Sequence, residues 1–325
     1  MRASSLLIMA TRSQDQDLVS QLAESEKKTI PSFGWHPWFS HQIYDDKAPP
    51  ESTTAHYQSV LTPPPDDTFI KSLPEPIPLS EFLNQTKARL EKHGNALVGE
   101  IGLDKAFRLP EAEFPEERDV TLTPGGREGR WLSKYRVSMP HQQAVLTAQL
   151  ALAGEMGRAV SVHGVQAHGI LYNTISATWK GHEVHVPSRR QQKLVAQGAE
   201  DPDSEDEENK SVGGKPFPPR VCLHSYSGSA DLMAQWMHNT VPAKIYVSFS
   251  AAVNLSTENV RAKVDDVIRS VPDDRVLVES DLHIAGDVMD GALEEMYQRV
   301  CDAKGWELEE GVKQIAKNFD KFVHG

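Results

Sequence analysis

The sequence predicts an α/β fold built around a parallel sheet, and three observations support this prediction. Short apolar runs alternate with helical patterns along most of the 325 residues. The composition, with 39% hydrophobic and 25% charged residues, is that of a globular protein. Ionisable side chains stand where several apolar runs end, which is typical of a barrel whose functional loops share one face. We therefore expect a TIM-type (β/α) barrel in a single domain spanning residues 1–325.

The predicted strands are short runs rich in Val, Ile and Leu, and the predicted helices carry apolar residues at helical spacing. Strands are predicted over residues 5–10, 29–34, 96–101, 159–163, 220–224, 244–249 and 275–279. Helices are predicted over residues 17–28, 140–156, 257–270 and 291–304. Because strands that alternate with helices form parallel sheets, we expect about seven parallel strands, one fewer than a closed eight-stranded barrel contains.

Three polar stretches interrupt this alternation and are expected to be long loop insertions. They cover residues 45–80, 105–133 and 189–219. Loops of this length in a barrel are functional lids or disordered segments. The last stretch is predicted to be disordered, because it is too polar to bury the apolar surface that an ordered segment needs. Its Ser204 stands among acidic residues, and it is either a phosphorylation site or part of a solvated linker.

The net charge of −12, taken alone, argues against a nucleic-acid partner. Seven carboxylates, however, lie in the stretch EDPDSEDEE at residues 200–208, which contains no cation. The rest of the chain is only mildly acidic, and bound cations reverse the local field of an acidic site. The charge therefore leaves DNA or another phosphodiester open as a substrate, and the acidic insertion offers a surface for a protein partner.

The sequence also bears on where the protein works. No apolar run approaches the roughly 20 residues that cross a bilayer, so no membrane partner is expected. The apolar patch within residues 1–10 is too short for a signal peptide. Cys222 and Cys301 do not form a disulfide framework. A reducing compartment, the cytoplasm and/or the nucleus, is therefore expected.

Four ionisable residues end or directly follow predicted strands: Glu100, His163, His224 and Asp281. In a parallel barrel the carboxyl ends of the strands meet on one face. Carboxylates and imidazoles that meet there suit a divalent cation. Each residue alone has a structural explanation, since a strand-end histidine or carboxylate can simply hydrogen-bond to loop amides. Four such residues at the same end of successive strands favour a shared metal site.

Recognisable motifs surround these positions. They are VGEIGLD at 98–104, HSYSG at 224–228, ESD at 279–281, VH at 162–163, GWHP at 34–37, QQAVLTAQLALAGEM at 142–156 and NF at 318–319. These motifs resemble elements of the TatD-related deoxyribonucleases. The first four resemble that family's GEIGLD, H-x-F-[ST]-G, ETD and strand-end VH. The last three resemble its G-x-H-P, Q-x-x-x-F-x-x-Q-L-x-L-A and N-x-x-[RK]-[LF]-F elements. The matches keep their order over nearly the whole chain, apart from the insertions, and the ordered set is far more specific than any one motif.

This resemblance implies a metal-dependent hydrolase that acts on ester bonds, the phosphodiesters of DNA above all. It implies that Glu100 binds or bridges cations and that His163 and His224 are imidazole ligands. Asp281 would bind metal and accept a proton from the attacking water. The expected cofactor is Mg²⁺, Mn²⁺ or Zn²⁺, which would acidify bound water and neutralise phosphoryl charge.

Three further residues enter through the same resemblance. His36 would either lie near the substrate phosphate or brace its loop. His168 is a candidate for substrate binding, and both His168 and Asp104 are candidates for orienting the ligands. His168 and Asp104 can equally be surface residues.

The sequence departs from the family pattern in several places. The family's first strand carries an H-x-H or N-x-H pair, and no H-x-H occurs before Glu100. We therefore expect a barrel that lacks its first strand and helix, either because the sequence is truncated or because the barrel is naturally degraded. Val165 stands where an Arg is frequent, and Trp38 stands where a second His follows the H-P pair. These departures concern the catalytic site more than the fold.

Two alternatives to a nuclease remain open at this stage. The first is a catalytically impaired barrel that serves as a protein-interaction or adaptor module, which the absent H-x-H pair and the acidic insertion favour. The second is an amidohydrolase acting on a cyclic amide or ester. That class commonly uses a carbamylated Lys, and no Lys ends a predicted strand at the expected place. A comparison of activity on oligonucleotides with activity on lactones or cyclic amides would distinguish a nuclease from an amidohydrolase.

Overall fold

A computed structural model describes residues 2–112, 131–186 and 214–325 of the chain. Its centre is a seven-stranded sheet in which all neighbouring strands run parallel. The strands, in their order across the sheet, are β1 (Leu6–Met9), β2 (Thr29–Phe33), β6 (Leu97–Asp104), β8 (Val160–Val165), β9 (Arg220–Leu223), β10 (Lys244–Ser250) and β11 (Val276–Glu279). The sheet is curled into an open barrel, as predicted, and within the described ranges β1 and β11 each have a neighbour on one side only.

Four shorter strands form two small pairs beside this sheet. They are β3 (Ile43–Tyr44) with β5 (Ile77–Pro78), and β4 (Leu61–Thr62) with β7 (Arg136–Val137). The first pair is parallel and the second is antiparallel. Both pairs lie outside the seven-stranded sheet.

Helices connect the strands. They are α1 (Ser13–Ser25), α2 (Thr53–Val60), α3 (Asp67–Lys71), α4 (Leu79–Lys92), α5 (Met139–Glu155), α6 (His168–Ala177), α7 (Ala230–Trp236), α8 (Ala251–Asn254), α9 (Glu258–Ser270), α10 (Asp287–Lys304) and α11 (Leu308–His324). Two 3₁₀ turns cover Pro37–Gln42 and Asp273–Arg275. No helix in the described ranges combines the length and the apolar character that a membrane crossing requires.

Local chemistry explains several helix ends. The Ser52 hydroxyl accepts a hydrogen bond from the Ala55 amide and caps α2, and Ser229 caps α7 in the same way through Leu232. Gly305 adopts a left-handed conformation with φ of +68° directly after α10, where glycine costs least.

The seven predicted strands and the four predicted helices are present, with boundaries that shift by up to four residues. One expectation was wrong: residues 45–80 are not an irregular insertion, because they contain α2, α3 and the two-residue strands β4 and β5. Their apolar residues, Tyr57 and Phe69 among them, form a small core together with Leu109, Tyr135 and Val137. The prediction of disorder at 189–219 falls mostly on 187–213, outside the described residues, as does Ser204.

The main core lies between the sheet and its surrounding helices. A second apolar cluster lies at the amino ends of the strands, opposite the face where the strands end. It consists of Ile30, Leu97, Ala159, Cys222, Tyr246 and Leu277 with Phe322 and Val323 from α11. The end of the last helix therefore closes the amino end of the barrel. The ionisable residues lie toward the opposite end.

Candidate metal centre

Five of the residues singled out from the sequence lie within strands of the sheet or directly after them. Glu100 is in β6 and His163 in β8, while His224 and Asp281 follow β9 and β11; His36 follows β2 and begins the first 3₁₀ turn. The parallel strands bring these side chains to one end of the sheet because all of the strands run in the same direction.

The Glu100 carboxylate is the centre of this group. Its Oε1 atom lies 2.8 Å from Nδ1 of His163, 3.4 Å from Nε2 of His36 and 3.7 Å from Nε2 of His224. The Glu100 side chain is only 13% exposed. One buried carboxylate oxygen thus faces three imidazoles that come from three different strands.

A glycine permits the close approach of the two strands that carry Glu100 and His163. Gly102 lies in β6 shortly after Glu100 and has a φ of +149°, a backbone conformation that residues with a side chain rarely adopt. A Cβ atom at this position would overlap the main-chain carbonyl oxygen of His163. The GEIG sequence is therefore required for backbone packing as well as for its carboxylate.

The charges of these groups depend on one another. Burial alone would raise the pKa of Glu100, but the neighbouring imidazoles of His224 and His36 outweigh it and hold that pKa well below its usual range. Burial alone would lower the pKa of His163, but its hydrogen bonds to Asp104 and Glu100 raise that pKa to about 9. These opposite shifts of the two pKa values favour an ion pair between His163 and Glu100.

Asp104, at the end of β6, holds the second nitrogen of His163. Its Oδ2 atom lies 3.1 Å from Nε2 of His163 and accepts a 2.6 Å hydrogen bond from the indole nitrogen of Trp38. Burial opposes ionisation of Asp104, but the bonds to His163 and Trp38 lower its pKa to about 2. Asp104 is buried, so the suggestion that it is a surface residue was wrong.

On the opposite side of Glu100, His224 contacts two carboxylates. Its Nε2 atom lies 3.1 Å from Oδ1 of Asp281, and its Nδ1 atom lies 2.8 Å from Oε2 of Glu279. The contact with Glu279 is an ion pair, although Nδ1 of His224 makes no well-formed hydrogen bond within the described residues. These carboxylates outweigh burial and raise the pKa of His224 well above its ordinary value.

Glu279 is a residue of this site to which the sequence analysis assigned no role. Its Oε1 atom accepts hydrogen bonds from both the amide, at 2.7 Å, and the hydroxyl of Ser225. Ser225 itself has a φ of +41°, which turns its amide and its hydroxyl toward the same carboxylate. The signal was available, because Glu279 is the first residue of the ESD motif and ends β11.

His168 lies apart from this group, at the start of α6. Its Nε2 atom lies 3.3 Å from the Ser227 hydroxyl, and its ring packs near that of Tyr226. Burial is the main reason that its pKa is lowered, with a smaller contribution from the positive charge of His163. His168 is therefore near the edge of the site, and a role in substrate binding stays a prediction.

The donor atoms fit a divalent cation. One ligand atom each from His36, Glu100 and His163 lies within 4.8 Å of the other two, and this is the one such group of three within the described ranges. Imidazole and carboxylate donors suit Zn²⁺ and other divalent ions. The composition of this group differs from the predicted ligand set, since it includes His36, while His224 and Asp281 lie on its other side. The ligand roles of all five residues stay predictions.

Comparisons with known proteins agree with this architecture. A family model for TatD related DNases matches residues 2–324. The Cut9-interacting protein scn1 of Schizosaccharomyces pombe is 39% identical over 324 residues, which cover 98% of this chain and 91% of that protein. A Saccharomyces cerevisiae protein named uncharacterized deoxyribonuclease YMR262W is 26% identical over 331 residues, which cover 97% of this chain and 90% of that protein.

Among solved structures, YjjV, a TatD homologue from Escherichia coli, shares the fold. It superposes with a TM-score of 0.57 at 16% identity, and the match covers 99% of this chain and 87% of that one. This similarity concerns the fold, which is a TIM-type barrel, and the match to the family model covers nearly the whole sequence. The chain therefore belongs to the TatD-related DNase family of hydrolases.

Proposed function

We propose that this hydrolase cleaves phosphodiester bonds of DNA with the help of one or more divalent cations, Mg²⁺, Mn²⁺ or Zn²⁺. The observation that carries the proposal is the buried Glu100 carboxylate with three imidazoles around one of its oxygens. A buried carboxylate in such a setting is costly unless it is paired, and a cation is a suitable partner. The family to which the chain belongs supports the same class of reaction.

In this proposal each residue has a definite task. Glu100, His36 and His163 hold the cation, which when bound neutralises charge on the phosphoryl oxygens and acidifies water. The Asp281 side chain is 31% exposed and so is open to solvent from which a nucleophilic water comes. Its carboxylate accepts the proton of that water, and His224, 3.1 Å away, stabilises the carboxylate in the correct orientation.

The experiment that tests this function compares Asp281→Asn with Asp287→Asn. Both changes remove one exposed carboxylate from the segment after β11, but only Asp281 contacts His224. With a fluorescent oligonucleotide and added Mn²⁺ or Zn²⁺, we expect Asp281→Asn to lower kcat by about 100-fold or more, the usual effect of losing a general base. Asp287→Asn is expected to leave kcat unchanged. Equal activity in the two variants would contradict the role of Asp281.

A second candidate function has one observation in its favour. The relative in Schizosaccharomyces pombe is named for its interaction with Cut9, a protein partner. We infer that a protein-interaction role is the alternative if the purified chain binds cations and cleaves no oligonucleotide. The acidic stretch at residues 200–208 is the candidate contact surface, and deleting it would then abolish binding of the partner. We further propose that the protein is located in the cytoplasm and/or the nucleus, a localisation that is compatible with either function.

A further inference from the structure

Trp38 lies beside the candidate metal centre, in the 3₁₀ turn that follows β2. Its indole N–H donates a 2.6 Å hydrogen bond to Oδ2 of Asp104. The same oxygen lies 3.1 Å from Nε2 of His163. One carboxylate oxygen therefore accepts hydrogen bonds from both rings. Trp38 thereby restricts the orientation of the Asp104 carboxylate relative to the His163 ring.

The other oxygen of Asp104 is held by the main chain. Its Oδ1 atom accepts hydrogen bonds from the amides of Ala106, at 2.7 Å, and Phe107, at 2.8 Å. The Asp104 side chain is only 4% exposed, so water does not compete for these bonds. With both oxygens engaged, the carboxylate cannot rotate unless it breaks at least one of its hydrogen bonds.

The main chain of Trp38 reaches a second imidazole. Its amide donates to Nδ1 of His36 at 3.2 Å, which leaves Nε2 of His36 to face Glu100 at 3.4 Å. Trp38 thus supports His36 through its backbone and His163 through its side chain. These two imidazoles are two of the three donors in the compact ligand group.

The side chain of Trp38 makes a second, separable contact. Its ring stacks on Phe107 with the ring centres 4.4 Å apart and the planes 9° from parallel. Substitution by Phe keeps an aromatic ring for this stack but removes the N–H donor. Substitution of Phe107 by Leu removes the stack but keeps the donor. The two contributions can therefore be measured independently.

We propose that Trp38 is a positioning residue that, through its indole N–H and Asp104, holds the His163 ring with Nδ1 directed at Glu100. Outer hydrogen bonds of this kind fix the orientation of metal-binding imidazoles, and their loss typically costs about 10–100-fold in metal affinity. The proposal rests on the proposed function only in that the group of His36, Glu100 and His163 binds a divalent cation. It does not depend on which ester the enzyme cleaves.

The test measures cation binding and not only activity. Zn²⁺ affinity is determined by competition with a chelating indicator, and bound Co²⁺ is followed by its visible absorption spectrum. We expect Trp38→Phe to weaken Zn²⁺ binding by about 10–100-fold and to alter the Co²⁺ spectrum. Phe107→Leu is expected to leave both unchanged, although both variants lose some stability in urea. In hydrolysis, Trp38→Phe should lower kcat with little change in KM, because the substrate contacts are retained.

Three results would overturn the proposal. They are a wild-type Zn²⁺ affinity and Co²⁺ spectrum in Trp38→Phe, an equal loss of affinity in Phe107→Leu, and a wild-type chain that binds no cation. If Trp38→Phe does not fold, Trp38→Leu replaces it, since it also removes the indole donor to Asp104, and Phe107→Leu remains the control for the lost stack. If the wild type binds cations but cleaves no phosphodiester, the proposed function fails while the binding data still decide the role of Trp38.

Discussion

At the scale of single residues, the site depends on carboxylates that contact the imidazole nitrogens directed away from Glu100. Asp104 contacts Nε2 of His163, and Glu279 contacts Nδ1 of His224. The first carboxylate is held by Trp38 and main-chain amides, and the second by Ser225. Such partners determine which ring nitrogen faces a cation, because an imidazole that binds a cation is neutral and keeps its hydrogen on the other nitrogen.

The Glu279→Gln variant tests the second of these partners. The amide keeps the size of the carboxylate but carries no charge and has only one oxygen, so Nδ1 of His224 and the Ser225 donors cannot both face an acceptor oxygen. We expect activity to fall by about 10–100-fold. A pH titration followed by nitrogen NMR should show that the pKa of His224 falls, because the variant lacks one of the carboxylates that raise it.

Glu294→Gln serves as the control for this variant. Glu294 is an exposed carboxylate on α10 whose bonded partner is Arg2, so its loss is expected to leave the His224 spectrum unchanged. A Glu279→Gln enzyme with normal activity and a normal His224 spectrum would show that Glu279 has no orienting role.

At the scale of elements, the 3₁₀ turn Pro37–Gln42 links the site to a cluster of histidines. His41 and His56 are buried, and His141 is half-buried. His56 and His141 donate to the main-chain carbonyls of His41 and Ser40, at 2.7 and 2.9 Å. The turn that carries His36 and Trp38 is therefore held by imidazoles that must stay neutral in a buried setting.

This cluster predicts a loss of stability in acid. Burial lowers the pKa of His41 to about 3, and the positive charges of His141 and His56 act in the same direction. The unfolded chain therefore binds more protons than the folded one below pH 6.5, and the stabilisation present above that pH is lost as the pH falls toward 3. For His41 alone the loss is about 2 kcal/mol at pH 5.

Urea unfolding between pH 5 and pH 7.5 checks this expectation against His41→Gln, whose amide does not titrate. The free energy of unfolding of the wild type should fall more steeply below pH 6.5 than that of the variant. Parallel pH profiles for the two proteins would mean that His41 does not take up a proton on unfolding.

At the scale of the whole molecule, the two ends of the barrel have different tasks. The carboxyl ends of the strands carry the ionisable residues, and the amino ends pack against α11. Phe322 is 1% exposed within that packing. Arg220, at the start of β9, donates to the carbonyls of Phe322 and Val323 and so holds the end of the helix in place.

Phe322→Ala should therefore lower stability without altering the metal centre. Removing a fully buried Phe typically costs about 3–5 kcal/mol. We expect a lower urea midpoint but an unchanged Zn²⁺ affinity at a temperature where the variant is folded. Val312→Ala, an exposed position of the same helix, should change the midpoint little. Equal midpoints for the two variants, or a weakened Zn²⁺ affinity in Phe322→Ala, would contradict this division.

The sequence by itself determined the order of strands and helices and the ionisable residues that lie in the strands or directly after them. Apolar runs such as ALVGE and RVCLH are local signals, and the parallel direction of the strands then requires that Glu100, His163 and His224 share one face.

Only the tertiary structure decided which atoms face one another. Trp38 and Asp104 are 66 residues apart, and Glu279 and Ser225 are 54 residues apart. Their contacts arise from the distance and rotation between strands, which local patterns do not encode. The helical structure of residues 45–80 was missed for a related reason, because that polar segment is ordered by burying its few aromatic residues in a small core.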